Sequence, residues 1–129
     1  MTICAMLGLW CSLGGHAYVI DGDTLVVNTI HLRLWGIDAE ELSEPNGYQA
    51  KRALTKMIGT SNVECVDKGE RSYGRTVAMC WTKDKPMVSL NARMVESGYA
   101  LDCAHYSGGK FRALEPAGIR AVLKQKPYC

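Results

Sequence analysis

Asp21-Gly22-Asp23-Thr24 stands between two β-branched runs and sets two carboxylates at positions i and i+2. Side chains two apart leave a strand on the same side, and the glycine between them lets the backbone bend. Hard oxygens held this way suit Ca²⁺ or Mg²⁺. Taken alone, Asp-Gly is also a common turn. Arg33 is the second signal, a cation in mid-strand followed by Asp38-Ala39-Glu40-Glu41, with carboxylates just past the strand end. The third is Tyr73-Gly74-Arg75, a second arginine at the head of a strand. Charge is divided along the chain in the same sense. Residues 1–46 carry one basic residue against six acids, and residues 47–129 carry fourteen basic residues against seven acids. An acidic cluster beside a basic remainder suits a site that holds both a cation and a polyanion, although ordinary surface charge gives the same count.

The elements that must position these groups follow from periodicity. His16–Ile20 reads as a strand, Thr24–Val27 as a second, and Ile30–Trp35 as a third, with Asn28-Thr29 a turn between the last two. Gly36–Gly47 is a polar, acid-rich loop. Ala50, Ala53, Leu54, Met57 and Ile58 repeat at helical spacing, which predicts an amphipathic helix stopped at Gly59 with Lys51, Arg52 and Lys56 turned away from the core. Asn62–Val66 and Arg75–Trp81 are strands separated by a polar loop at Asp67–Gly74. Ser89 caps a short helix carrying Leu90, Met94 and Val95, and Tyr99–Leu101 adds a brief strand. In the tail, Lys110–Leu114 and Ala117–Lys124 have helical character, broken by Pro116 and ended at Pro127. Five strands and two or three helices at these lengths predict a small β-barrel with helices packed on it, in the α+β, mainly β, class.

In this order the three signals resemble the thermonuclease, or staphylococcal-nuclease-like, family. The resemblance spans Tyr18 to Tyr106 and rests on Val19-Ile20-Asp21-Gly22-Asp23-Thr24, Leu32-Arg33-Leu34, Asp67-Lys68-Gly69, Tyr73-Gly74-Arg75 and Leu90–Gly98. It implies a five-stranded OB-fold barrel and a Ca²⁺-dependent nuclease acting on DNA, RNA or both, leaving 3′-phosphate and 5′-hydroxyl ends. It implies that Asp23 and Asp38 give carboxylate oxygens to Ca²⁺, with the Ala39 carbonyl a further ligand and Asp21 an acid just behind them. Glu41 would activate the attacking water, and Arg33 and Arg75 would grip the scissile phosphate. Tyr73 matches a tyrosine that lines the nucleotide pocket, and Tyr106 matches another.

The chemistry accounts for those residue types. A phosphodiester already bears a negative charge, and hydroxide attack adds a second. A metal and two guanidinium groups offset it, and each arginine fork matches two phosphate oxygens. A carboxylate base near the water contributes roughly 10²–10⁴-fold. The chain departs from the family in three places. Glu40 stands where the family has a proline before the catalytic glutamate, so the loop loses a fixed φ and Glu40 could compete for metal. The polar loop before Tyr73 is shorter than in the best-known member, and the tail after Tyr106 lacks that member's long C-terminal helix. The competing reading is a module of the same fold that binds nucleic acid without cutting it. Retention of Arg33, Glu41 and Arg75 favours the enzyme.

Six cysteines are present, and none of their spacings reads as a zinc site. Fifteen full pairings are possible. Cys65 and Cys80 lie on strands that an antiparallel pairing would bring face to face, leaving Cys103 and Cys129 to tie the tail to the barrel. Residues 1–17 are apolar and uncharged apart from His16, with small residues near Ala17, and resemble an export signal without its basic start; the rival reading is a buried N-terminal strand. On the first reading Cys4 and Cys11 leave with the leader, and residues 18–129 are a single domain, secreted or periplasmic, monomeric and free of the membrane.

Overall fold

The computed structural model describes residues 12–129. Eight strands run as β1 (Ser12–Gly15), β2 (Ala17–Asp21), β3 (Thr24–Val27), β4 (Ile30–Leu34), β5 (Ile37–Asp38), β6 (Val63–Ser72), β7 (Arg75–Thr82) and β8 (Leu101–Asp102). Among the described residues three helices, α1 (Gly47–Ile58), α2 (Leu90–Glu96) and α3 (Ala104–Ser107), join the strands in an α+β, mainly β, fold, with 3₁₀ turns at Arg112–Leu114 and Ile119–Ala121. No helix among the described residues is long and apolar enough to cross a membrane.

β2, β3 and β4 form the expected antiparallel meander, and Asn28 and Thr29 both take positive φ in the two-residue turn between β3 and β4. The main sheet has six strands in the order β1-β6-β7-β4-β3-β2, where five closing into a barrel were expected. It stays open because its edge strands, β1 and β2, do not bond to each other, and β5 pairs with β8 in a ribbon of their own. The sixth strand, β1, comes from the last part of the leader-like segment and pairs with Val63–Val66. Residues 1–11, with Cys4 and Cys11, lie outside the described residues.

The stretch 67–72, expected as a loop, continues β6 past a register shift between Asp67 and Arg71. Its residues alternate poorly because none of this part of the hairpin is buried, so no apolar face records the pairing. The hairpin turns at Tyr73 and Gly74, both at positive φ. Cys65 and Cys80 sit opposite each other in the β6–β7 register and are disulfide-bonded, as are Cys103 and Cys129.

Leu25, Val27, Leu32, Leu34 and Val63 from the sheet meet Leu54 and Ile58 of α1 and Leu90, Met94 and Val95 of α2 in one core. The Ser89 hydroxyl accepts from the Ala92 amide and starts α2 as expected. Buried Asn91 then fixes that helix: its amide donates to the Trp35 and Ala78 carbonyls, and its oxygen accepts from the Cys80 amide. A fully satisfied polar group in the core specifies one docking geometry. The tail is mostly turns and extended chain, short of the helix expected over residues 117–124.

Candidate active site

The turn between β2 and β3 sets the first carboxylates. Asp21 Oδ1 accepts the Asp23 amide at 3.1 Å, a local bond that shapes the turn. Gly22 is required for packing: a Cβ there would come within 2.6 Å of the Ala50 Cβ and 2.7 Å of the Ala39 Cβ. The turn is thus pressed between α1 and the segment that carries Asp38. Asp23 is buried, and its Oδ2 accepts the Ala39 amide at 2.9 Å and lies 3.4 Å from Arg33 Nη2. One carboxylate therefore joins three of the segments singled out by sequence.

Arg33 points inward from β4 and is buried, opposite Thr24 in the β3–β4 register. Burial opposes its charge, but Asp23, Tyr128 and Asp38 hold its pKa above the ordinary value. Arg75, at the start of β7, donates from Nη1 to Thr24 Oγ1 at 2.8 Å and is steadied by the Ser72 carbonyl and hydroxyl. The parallel pairing of β4 with β7 brings the two arginine-bearing strands side by side. Arg33 also lines a cleft of about 250 Å³ with Trp35, Tyr73, Tyr106 and Tyr128. Tyr73, 99 % exposed at the hairpin tip, and Tyr106 both reach this cleft, and Tyr106 meets Tyr128 edge to face.

Asp38 lies in β5, held by pairing with β8. Burial raises its pKa, against the lowering pull of the Lys126 amide and ammonium. Asp21 is pushed up to about 6, by burial first and then by the charge of Asp23, with Glu41 adding to it. These are the marks of carboxylates crowded together in low dielectric. Glu41 is exposed at the rim, where the Glu44 carboxylate accepts its amide hydrogen.

Glu40 does something different. It is buried, and it accepts the Asn46 amide at 3.1 Å, the Asn46 side chain at 2.8 Å and the Lys124 amide at 2.9 Å. These bonds outweigh burial and hold its carboxylate below the ordinary pKa. Both its oxygens are engaged in tying the Glu41 loop to α1 and to the tail. The loop stiffness that a proline would supply comes here from hydrogen bonds.

Sequence reasoning missed the tail. Lys126 Nζ lies 3.1 Å from Asp38 Oδ1 and 3.1 Å from the Ala39 carbonyl oxygen, and the Lys126 amide donates to Asp38 Oδ2 at 2.8 Å. Glu41 and Glu44 carboxylate oxygens stand 3.5 Å and 3.8 Å from the same ammonium. Cys129 was the available signal. Its bond to Cys103 brings this part of the tail next to β8, the partner of β5, and sets the Lys126 ammonium against the acids there.

A family model described as staphylococcal nuclease homologue matches residues 31–123. The chain belongs to this family. An uncharacterized endonuclease of Haemophilus influenzae is 34 % identical over 94 residues, covering 69 % of this chain and 51 % of that protein. Protein ParB of Escherichia coli is 32 % identical over 102 residues, 70 % of this chain and 58 % of that protein. A micrococcal nuclease of Shigella flexneri is 29 % identical over 108 residues, 75 % of this chain and 62 % of that protein. The chain spans roughly half to three fifths of the length of these relatives. The matched region ends at residue 123, short of Lys126.

Proposed function

We propose that the chain hydrolyses phosphodiester bonds of DNA or RNA, with Ca²⁺ as cofactor, leaving 3′-phosphate and 5′-hydroxyl ends. The observation that carries this reading is the junction at Thr24. Arg33 faces it across the β3–β4 ladder, Arg75 bonds its hydroxyl, and the carboxylates of Asp21, Asp23, Asp38 and Glu41 stand alongside. Nuclease names among the relatives support the same reading.

The donors fit a hard cation in kind: the carboxylates of Asp23 and Asp38 and the Ala39 carbonyl would hold Ca²⁺, with Asp21 behind them. Bound there, Ca²⁺ supplies positive charge that offsets the charge developing on the phosphate. Arg33 and Arg75 bind the phosphate oxygens, and the buried bonds of Arg33 keep its fork oriented before substrate arrives. Glu41 takes the proton of the attacking water at a carboxylate oxygen. Tyr73 and Tyr106 give the cleft aromatic faces against which a base can stack. All these groups come from one chain, which supports a monomer. The two disulfides among the described residues support an oxidising compartment, secreted or periplasmic.

The test is incubation of the oxidised protein with single-stranded DNA and with RNA, in Ca²⁺ and in excess chelator. The expected result is Ca²⁺-dependent fragments whose 3′ ends lose phosphate on phosphatase treatment. Nucleic acid that binds but stays intact in Ca²⁺ would reduce the protein to a binding module.

A further inference from the structure

The most unusual feature of the acidic pole is that it already contains a cation. Lys126 Nζ makes contacts of 3.1 Å with Asp38 Oδ1 and with the Ala39 carbonyl oxygen, two of the three donors named above, and approaches Glu41 at 3.5 Å. The Lys126 amide takes the other Asp38 oxygen. We propose that Lys126 is a tethered competitor for the divalent cation: its ammonium and the metal use the same oxygens, so the ammonium must swing away before Ca²⁺ can enter. This rests on the reading of Asp38 and Ala39 as cation donors.

The tail is built to hold that position. The Cys103–Cys129 disulfide fixes the chain three residues beyond Lys126, and the His105 amide donates to the Cys129 carbonyl at 3.0 Å. Two residues before Lys126, the Lys124 amide is bound to Glu40, and the Gln125 side chain donates to the Asp102 carbonyl at 2.8 Å. The segment is thus anchored on both sides of the lysine. Its side chain is 20 % exposed, enough for the ammonium to swing to solvent while the anchors stay in place.

The competition has a physical purpose. Asp23, Asp38 and Glu41 repel one another, and a buried carboxylate without a counter-charge is costly. Arg33 already offsets Asp23, and Lys126 neutralises Asp38 and Glu41 while no metal is bound, so the apo site keeps its shape. The consequence is a raised threshold. A ligand's apparent affinity falls by the fraction of molecules in the competent state, and here that is the fraction with Lys126 withdrawn. The tail therefore sets the Ca²⁺ concentration at which the site fills.

The test is calorimetric Ca²⁺ titration of the full chain without nucleic acid, comparing wild type, Lys126→Met, which keeps the apolar stem, and Lys124→Met. Removing the competitor should tighten Ca²⁺ binding by about tenfold or more, and Lys124→Met should bind as wild type. The Lys126→Met protein should also melt below wild type in chelator and regain the difference in Ca²⁺. Equal or weaker Ca²⁺ binding by Lys126→Met overturns the proposal. A second readout needs no variant: amine acylation of the wild-type protein, mapped by mass spectrometry. Lys126 should react more slowly than exposed Lys85 in chelator and speed up in Ca²⁺. Unchanged labelling of Lys126 overturns the proposal equally. Wild-type DNA cleavage distinguishes the two readings. Cleavage with unchanged Lys126→Met affinity removes the competitor and leaves the nuclease. Tighter Ca²⁺ binding with no cleavage by either protein removes the nuclease and leaves the competitor.

Discussion

Arg75 Nη1 donates to Thr24 Oγ1 at 2.8 Å, so a guanidinium on β7 is aimed by a hydroxyl on β3. The same hydroxyl lies 3.3 Å from Asp23 Oδ1 and can donate to it. Thr24 is therefore the point at which the proposed phosphate-binding and cation-binding halves of the site touch. Arg75→Lys keeps the charge but loses the fork and should lower kcat/KM about 10²–10³-fold. Thr24→Val keeps the shape and loses only the aim, for a smaller loss of about tenfold. Initial rates on single-stranded DNA measure both. Near-wild-type rates for Arg75→Lys would remove Arg75 from the phosphate.

Glu40 and Glu41 are adjacent, and their surroundings predict opposite phenotypes. Exposed Glu41, changed to Gln, should lose about 10²-fold or more in kcat with an unchanged urea midpoint. Glu40→Gln presents an amide to donors at Asn46 and Lys124 and should cost about 1–3 kcal/mol in stability. Urea unfolding and steady-state kinetics on the two variants separate them. A crippled but stable Glu40→Gln beside an active Glu41→Gln would reverse the assignment.

Glu115 is the acid sensor of the tail. Its side chain is 6 % exposed and accepts two bonds from Arg120, at 2.8 Å and 2.7 Å, and one from the Asp102 amide at 2.9 Å. Burial works to raise its pKa, but Arg120, the Asp102 amide and Arg112 hold it below the ordinary 4.5. A depressed folded pKa gives stability that is fully present above pH 4.5 and drains away as pH falls through the folded value. Glu115→Gln should flatten this acid limb and lower stability near neutrality by about 1–3 kcal/mol. Urea midpoints from pH 7 down to pH 3 check it, and parallel curves for the two proteins would refute it.

Gly22→Ala should be among the most damaging small substitutions. The added methyl meets Ala39 and Ala50 too closely for relaxation without moving the Asp21–Asp23 turn. Overpacking of this kind costs about 1–3 kcal/mol, and Ca²⁺ affinity should fall with it. A wild-type melting curve and Ca²⁺ isotherm for this variant would contradict the packing argument.

Legibility followed local patterning. The helix ending at Gly59 announced itself through Ala50, Leu54 and Ile58, the cap at Ser89 through its hydroxyl, and the Cys65–Cys80 register through two flanking strands. The acidic pair at Asp21 and Asp23, together with the arginines, was visible because each sits on a patterned strand or in the turn that joins two of them. Strand character at 67–72 was not, since an exposed ribbon has no face to record. The position of Lys126 was hidden for a different reason. It depends on one disulfide, two residues of β8 and a run of side chain-to-backbone bonds, none of which leaves a period in the sequence.

β4 and β7 pair in parallel, and no hairpin can make that contact locally. The Thr24–Arg75 bond spans 51 positions. The meander of β2, β3 and β4 and the β6–β7 hairpin can each form from neighbours, but their union must wait for the chain between them to be ordered. The two arginines thus meet only when the two halves of the sheet have joined. During refolding, strand signal should return first and cleavage last, in the slowest phase. A nascent or partly unfolded chain would hold both arginines and all its carboxylates and still lack the geometry that the proposed cleavage requires.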